Sequence, residues 1–193
     1  MLEDPFEGHI SKPTVEHIYE IAEKENTHPW HGLYRIARER VRVNCWHINN
    51  HQSMAMWKIY SSKGIAIKSN FKRLCRAFDE TDIPVFIGKV QYYDHTRDSL
   101  PNLRQMLLPV LYKGKAYEYE NELRAIAMKK YNIGLDEFEY DPKVPIILDI
   151  LIEDVFLSPF APDWLTKTVG NLIERIGLNL KPKQSDLLIK PNS

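Results

Sequence analysis

Closely spaced carboxylates mark one stretch of the chain, the run YEYENELR over residues 117–124. Read as a helix, the run stacks Glu118 against Glu122 at i,i+4, where like charges repel. Read as a strand, it places Glu118, Glu120, Glu122 and Arg124 on one face. We predict a strand. Three carboxylates on one face raise one another's pKa unless a cation, a metal or a ligand neutralises them, which makes this face a candidate functional site.

The same acidic pattern has a purely structural explanation. An exposed strand at the edge of a sheet often bears charges, because charged side chains deter pairing with other chains. Under this interpretation residues 117–124 need no ligand and no reaction. The charge pattern alone does not decide between the two, and both stay open at this point.

The bulk composition indicates an ordinary domain. The chain has 193 residues, enough for one domain with a sizeable core. Lys plus Arg and Asp plus Glu both number 26, so no global field attracts nucleic acid, and we expect no nucleic-acid partner. With two cysteines, no apolar run of membrane-spanning length and no signal peptide, we expect a cytoplasmic protein without a membrane partner. Its partners and oligomeric state are not indicated.

Helices and strands are predicted to interleave without a repeated crossover unit. The predicted helices are a helix capped by Thr14, then 33–40, a short helix with Met56, Trp57 and Tyr60, 71–78, 100–112 and 162–176. The predicted strands are 41–46, 64–67, 85–93, 117–124, 144–151, 154–157 and 185–189. This order favours an α+β fold, with a mixed or mostly antiparallel sheet and packed helices. We expect a single domain over residues 1–189 and a frayed tail over 190–193.

Several short motifs, in their order and spacing, resemble one bacterial family. They are DPFEG at 4–8, CW at 45–46, MW at 56–57 with Tyr60, GIAI at 64–67, VQY at 90–92, and Lys115 with YENELR at 119–124. Together they resemble the bacterial domain-of-unknown-function family 2971. The family's pattern begins well before its DPFEG motif, so the resemblance implies that this chain lacks an N-terminal strand and helix. The family name itself implies no activity.

A more distant resemblance is to the ADP-ribosyltransferases. Those enzymes have an early strand with His or Arg, a hydroxyl-bearing strand that leads into a helix, and a late Glu-x-Glu. Residues 44–47, which lead into the helix of Tyr60, are similar to the middle element, with His47 where serine is usual. Glu120-Asn121-Glu122 is similar to the last element, and Arg124 follows it.

This resemblance implies a chemistry and a set of site residues. Cleavage of the nicotinamide bond of NAD passes through an oxocarbenium-like state, which a carboxylate stabilises electrostatically. Glu122 is implied as that carboxylate, and Glu120 is implied to orient the acceptor nucleophile. Tyr60 is the candidate to stack on nicotinamide, with His47 and Arg124 as further substrate-binding candidates. NAD is thus a candidate substrate, and no cofactor is firmly implied.

Clustered histidines suggest zinc as a rival chemistry. Six of the seven histidines fall in the first 51 residues, and the sequences HPWH at 28–31 and CWH at 45–47 have spacings that zinc could use. Because no Cys-x-x-Cys or His-Glu-x-x-His frame is present, we predict surface or capping histidines and no metal site. Cys45 is predicted to be a small buried apolar residue and not a nucleophile.

Two classes of function therefore remain, and the sequence does not decide whether the chain is an enzyme. The first is an NAD-using transferase or a degenerate relative of one. The second is a non-catalytic interaction or regulatory module, in which the acidic strand binds a basic partner or protects an edge. The position of Glu120 and Glu122 in the fold separates them, since a catalytic pair belongs in a cleft and an edge device belongs in open solvent.

Overall fold

The computed structural model describes residues 7–128 and 143–188, which fall into two compact units. As far as they are described, the first unit comprises 7–48 and 83–128, and the second comprises 49–82 and 143–188. None of the helices described is long and apolar enough to cross a membrane. The single domain expected over residues 1–189 stays a prediction, and the tail at 190–193 lies outside the described residues.

Short helices and strands make up both units. The helices are α1 (Lys12–Glu25), α2 (Gly32–Arg40), α3 (Met54–Tyr60), α4 (Phe71–Arg76), α5 (Leu148–Leu151) and α6 (Asp163–Arg175). The strands are β1 (Val41–His47), β2 (Ile65–Lys68), β3 (Val85–Lys89), β4 (Gln91–Tyr93), β5 (Tyr112–Gly114), β6 (Glu122–Met128), β7 (Asp154–Leu157) and β8 (Lys183–Gln184). Two 3-10 helices cover Leu108–Leu111 and Lys115–Glu120. The predicted α+β class, with mostly antiparallel sheets, is confirmed.

Helix α1 begins and ends with side-chain and backbone caps. The hydroxyl of Ser11, and not the predicted Thr14, is the N-cap, and it accepts a hydrogen bond from the Thr14 N–H at 3.2 Å. Asn26 ends the helix in the left-handed conformation (φ 52°), where its N–H reaches carbonyls of the last turn. One face of α1 is buried. Helix α2 begins one residue before the range predicted for the second helix and ends where predicted. A buried cluster lies at the centre of this part of the first unit and consists of Ile18, Tyr34, Tyr93, Leu100 and Leu103.

The main sheet of the first unit has three antiparallel strands in the order β1-β6-β3. In its register His47 pairs with Glu122, Cys45 pairs with Arg124, and Gly88 also pairs with Arg124. Directly paired residues project their side chains to the same face, so these residues share one face of the sheet. Gly88 allows the neighbouring segment to approach, since a Cβ there would lie 2.8 Å from a methyl carbon of Leu111. Separately, β4 and β5 pair in parallel.

The second unit has its own small sheet, in the order β2-β7-β8. Strand β2 forms where GIAI predicted it, but it is an edge strand, and Ile65 and Ile67 are exposed instead of buried. Helix α6 confirms the strongest helical pattern of the sequence, and it buries Val169 and Ile173. Gly177 follows it with a positive φ of 75°, as a helix-ending glycine does.

Besides the acidic run at 117–124, the strand predicted over 85–93 is divided into β3 and β4 of two different sheets, and three further predicted elements are wrong. Residues 100–112, predicted as a helix bent or ended near Pro109, form turns, a single 3-10 turn and the start of β5. Pro109 lacks the N–H that a continuous helix would need there. Residues 144–151, predicted as a strand, are irregular until the short helix α5. The last strand that the structure describes is β8 at 183–184, ahead of the predicted 185–189, of which residues 185–188 are described and are not a strand. In the last two cases, the apolar residues that predicted a strand lie outside any described sheet.

Candidate functional site

The acidic run at 117–124 does not form one strand. Its first half belongs to the 3-10 helix Lys115–Glu120, and the strand β6 begins only at Glu122. Asn121 joins the two in the left-handed conformation (φ 40°), which asparagine adopts more readily than most residues. Its side-chain amide donates to the carbonyl of Ile48 at 2.7 Å, and its own carbonyl accepts from the Ile48 N–H at 2.9 Å. The prediction of a continuous strand over this run is therefore wrong.

The edge-strand interpretation is also wrong. Strand β6 is the central strand of its sheet, with a partner on each side. Glu118 is exposed, whereas Glu120 and Glu122 are only 3% and 8% exposed. The expected face of three carboxylates is consequently a buried pair with Glu118 outside it. The charges of Glu120 and Glu122 are too deeply buried to deter pairing with other chains.

Two cations neutralise the buried pair. The Arg124 Nε donates to Glu122 Oε2 at 2.6 Å, and the Lys113 Nζ lies 3.2 Å from Glu122 Oε1. The same ammonium group forms a close ion pair with Glu120. Lys113 is 5% exposed and Arg124 is fully buried, so these ion pairs are shielded from water.

Arg124 connects three segments of the first unit through its guanidinium group. Besides Glu122, it donates to the carbonyl of Val110 at 2.6 Å and forms a close ion pair with Glu7. Glu7 is buried, and its second oxygen, Oε2, has no hydrogen-bond partner among the described residues. Three of the five guanidinium N–H donors thus have acceptors, one backbone carbonyl and two carboxylates.

Backbone contacts hold Glu122 in place as well. Its N–H donates to the phenol oxygen of Tyr92 at 2.9 Å, and its carbonyl accepts from the Val90 N–H at 2.9 Å. Burial raises the pKa of the Tyr92 hydroxyl, with a smaller contribution in the same direction from the charge of Glu122. The hydroxyl therefore stays protonated at neutral pH.

The environment keeps Glu122 ionised. Burial alone would raise the pKa of Glu122, but hydrogen bonds with Glu120 and Arg124 and the charges of Arg124 and Lys113 outweigh burial and lower it to about 2. The pKa of Lys113 is raised, because the hydrogen bond with Glu120 and the nearby carboxylates outweigh its burial. At neutral pH the centre of the cluster is therefore an ionised carboxylate with an ammonium and a guanidinium group beside it.

His47 joins the cluster from β1. It pairs with Glu122 in the register, and its ring Nδ1 lies 2.5 Å from the carbonyl oxygen of Glu120, so it donates a hydrogen bond there.

Cys45, two residues earlier, is exposed, so its predicted burial is wrong. It lies on an edge strand, where the alternating pattern overstates burial. The protein around its thiol nevertheless raises the pKa of Cys45 to about 11 by desolvation and by the charge of Glu122, which argues against a nucleophile.

The structure gathers four of the five predicted site residues in the first unit: Glu120, Glu122, Arg124 and His47. Tyr60, the candidate to stack on nicotinamide, belongs to the second unit, where it lies at the end of α3 with its side chain exposed. Trp57 is the buried residue of that helix. Besides Tyr92, the aromatic ring of Tyr117 lies beside the cluster, and its centroid is 4.9 Å from the Lys113 Nζ.

Sequence reasoning did not assign Lys113, Tyr92 or Glu7 to the site, although Tyr92 and Glu7 belong to the VQY and DPFEG motifs. A signal for Lys113 existed, because it is the first charged residue after the largely apolar stretch 106–112. A lysine at that point needs either solvent or a buried carboxylate. Glu7 gave no comparable signal, since Glu-Gly pairs are common in turns.

The histidine pairs considered for zinc are not gathered into a site. Over residues 7–128 and 143–188, no group of three or more His, Cys, Asp or Glu side chains is arranged to hold a metal ion. Among the other early histidines, the Nδ1 of His17 lies 3.3 Å from the hydroxyl oxygen of Ser99.

Comparisons of the chain with protein-family models, with curated proteins and with solved structures found no match. The two family resemblances stay predictions.

Proposed function

We propose that the first unit contains the catalytic centre of an NAD-using, ADP-ribosyltransferase-like enzyme, with Glu122 as its essential carboxylate. The observation behind this proposal is the position of Glu122, which is buried at the start of the central strand between the Arg124 guanidinium at 2.6 Å and the Lys113 ammonium at 3.2 Å. These two cations keep its carboxylate ionised. A carboxylate that is ionised at neutral pH is what an oxocarbenium-like transition state needs beside it. Its two cationic neighbours and two backbone hydrogen bonds hold it in one orientation.

In the proposed reaction the glycosidic C–N bond of NAD breaks, and its electron pair leaves with nicotinamide. The acceptor's nucleophilic atom, oriented by Glu120, then bonds to the ribose carbon and releases its proton to solvent. His47 fits a supporting role, because its hydrogen bond to the Glu120 carbonyl ties the end of β1 to the carboxylate pair. Tyr60 has no part in this proposal, since it belongs to the second unit.

A second candidate function is a non-catalytic interaction or regulatory module. The observation that favours it is that both carboxylates are already paired with cations of the same unit. In this case the cluster stabilises the fold, and a partner binds elsewhere. The proposed enzyme needs Glu122 for turnover, whereas the module needs it only for stability, so one substitution distinguishes them.

The test is nicotinamide release from NAD by the wild type, by Glu122→Gln and by Glu118→Gln. Glu118 is the matched control, because it is an exposed glutamate in the adjoining 3-10 helix. We expect Glu122→Gln to lose about 100-fold or more of the rate and Glu118→Gln to retain it. NAD should also raise the melting temperature of the wild type. Equal release by wild type and Glu122→Gln, or no release together with no NAD-induced thermal shift, would rule out the transferase.

A further inference from the structure

Tyr92 brings a half-buried phenol to the backbone of Glu122. The hydroxyl oxygen of Tyr92 accepts a hydrogen bond from the Glu122 N–H at 2.9 Å. The Val90 N–H, two residues earlier in the chain, donates to the Glu122 carbonyl, also at 2.9 Å. Residues 90 and 92 thus hold both backbone groups of residue 122. The phenol oxygen is therefore fixed beside the residue whose carboxylate the proposed reaction needs.

The hydroxyl of Tyr92 has a hydrogen that it can still donate. A phenol oxygen bears one hydrogen in addition to its acceptor lone pairs. In the contact with Glu122 this oxygen is the acceptor, and among residues 7–128 and 143–188 the structure shows no acceptor for its own hydrogen. Burial and the charges of Glu122 and Glu120 raise the pKa of Tyr92, so the hydrogen stays on the oxygen at neutral pH.

Exposure distinguishes Tyr92 from the charged side chains of the cluster. These are Glu120, Glu122, Lys113 and Arg124, and each of them is at most 8% exposed. Tyr92 is only half-buried, and it pairs with Lys113 in the register of β4 and β5. Of these five residues, Tyr92 therefore offers the most surface to a ligand that approaches the carboxylate pair.

We propose that Tyr92 is a substrate-binding residue, whose hydroxyl donates a hydrogen bond to an oxygen of the NAD ribose that bears nicotinamide. This inference rests on the function proposed above. The ribose is the part of NAD assigned to Tyr92, because the oxocarbenium-like state forms on that sugar and the Glu122 carboxylate lies beside it in the proposed reaction. The phenol oxygen is bound to the backbone of the same glutamate, so the donor is in position before NAD arrives.

The test has to separate this role from a purely structural one. Tyr92→Phe removes the donor to the ribose, but it also removes the acceptor of the Glu122 N–H. Loss of the donor weakens the binding of NAD, whereas a displaced Glu122 carboxylate lowers kcat. The dissociation constant of NAD is therefore the readout that a structural role alone would not move. Tyr119→Phe is the matched control, because Tyr119 is an exposed tyrosine in the adjoining 3-10 helix.

Isothermal titration calorimetry of the wild type, Tyr92→Phe and Tyr119→Phe measures the binding of NAD and of ADP-ribose, which keeps the ribose and lacks nicotinamide. We expect Tyr92→Phe to raise both dissociation constants by about fivefold or more, and Tyr119→Phe to change neither. An unchanged dissociation constant for NAD would overturn the inference, whether or not kcat falls. A loss confined to NAD would overturn it as well, because the contact would then be with nicotinamide.

A second measurement needs no variant. Tyrosine rings are labelled with ¹³C at the carbon that bears the hydroxyl and assigned by NMR through ring-to-backbone correlations, and NAD is added to the wild type. The Tyr92 resonance should shift, and the Tyr119 resonance should not. A Tyr92 resonance that does not respond to bound NAD overturns the inference, even if Tyr92→Phe does not fold. Turnover of NAD without these effects at Tyr92 leaves the transferase proposal standing, whereas a wild type that does not bind NAD overturns both.

Discussion

Glu7 and Arg124 form a buried ion pair although 117 positions separate them in the chain. Because Arg124 also donates to Glu122, one guanidinium group links the start of the described chain to the central strand. A buried ion pair contributes little net stability, since desolvation offsets the attraction between the charges. Removal of one partner is different, because it leaves the other charge buried and unpaired.

Arg124→Met is therefore expected to destabilise the protein strongly. The substitution leaves Glu7 and Glu122 without their shared cation, and the loss should be about 3–5 kcal/mol. Urea denaturation at neutral pH measures it. Arg97→Met is the matched control, because Arg97 is 84% exposed and its ion pair with Asp94 spans 3.8 Å. We expect little or no change there, and equal losses in the two variants would contradict the structural role of Arg124.

Acid should weaken the protein through Glu122. The folded-state pKa of about 2 lies below the ordinary value of 4.5, so the folded state binds the proton of Glu122 more weakly than the unfolded state does. The resulting contribution, roughly 3 kcal/mol, is fully present above about pH 4.5 and is lost as the pH falls through about 2. Denaturant unfolding of wild type and Glu122→Gln between pH 7 and pH 2 should show a stability difference that shrinks across this window. A difference independent of pH would contradict the ionised state of Glu122.

Asn121 is expected to control the turn between the carboxylates. Its φ of 40° is strained for most residues and is easy for glycine. Asn121→Gly should lose only the side-chain hydrogen bond to the Ile48 carbonyl, about 1 kcal/mol. Asn121→Val should lose this bond and also strain the backbone, which costs roughly a further 1–3 kcal/mol. Thermal unfolding of the two variants tests this order, and Asn121→Val as stable as Asn121→Gly would refute it.

Cys45 should react slowly with thiol reagents even though it is exposed. A pKa of about 11 leaves about a hundredfold less thiolate at pH 8 than an ordinary pKa of 9 does. Alkylation by iodoacetamide, followed by mass spectrometry in a Cys75→Ser background, should be about tenfold or more slower than that of N-acetylcysteine. The rate should still be rising with pH at pH 10. A rate that levels off near pH 9 would contradict the raised pKa.

Much of the secondary structure was predictable because it depends on local patterns. The helical spacing of apolar residues located α1 and α6, alternation located β1, and branched residues located β7. The candidate site was partly predictable as well. The alternation of Glu122 and Arg124 placed them on one face, and the resemblance to ADP-ribosyltransferases selected Glu120 and Glu122 over Glu118. His47 followed from the same resemblance.

The sequence by itself determined that carboxylates of this run need cations wherever they are buried, since a buried charge must be paired. Only the tertiary structure decided which cations these are. Lys113 reaches the pair because β5 pairs with β4, and Glu7 reaches Arg124 across 117 positions. Local propensity does not encode such pairings, because they depend on strand order, register and burial, which the whole unit sets at once. For the same reason the acidic run became a 3-10 helix, a turn and a central strand instead of an exposed edge.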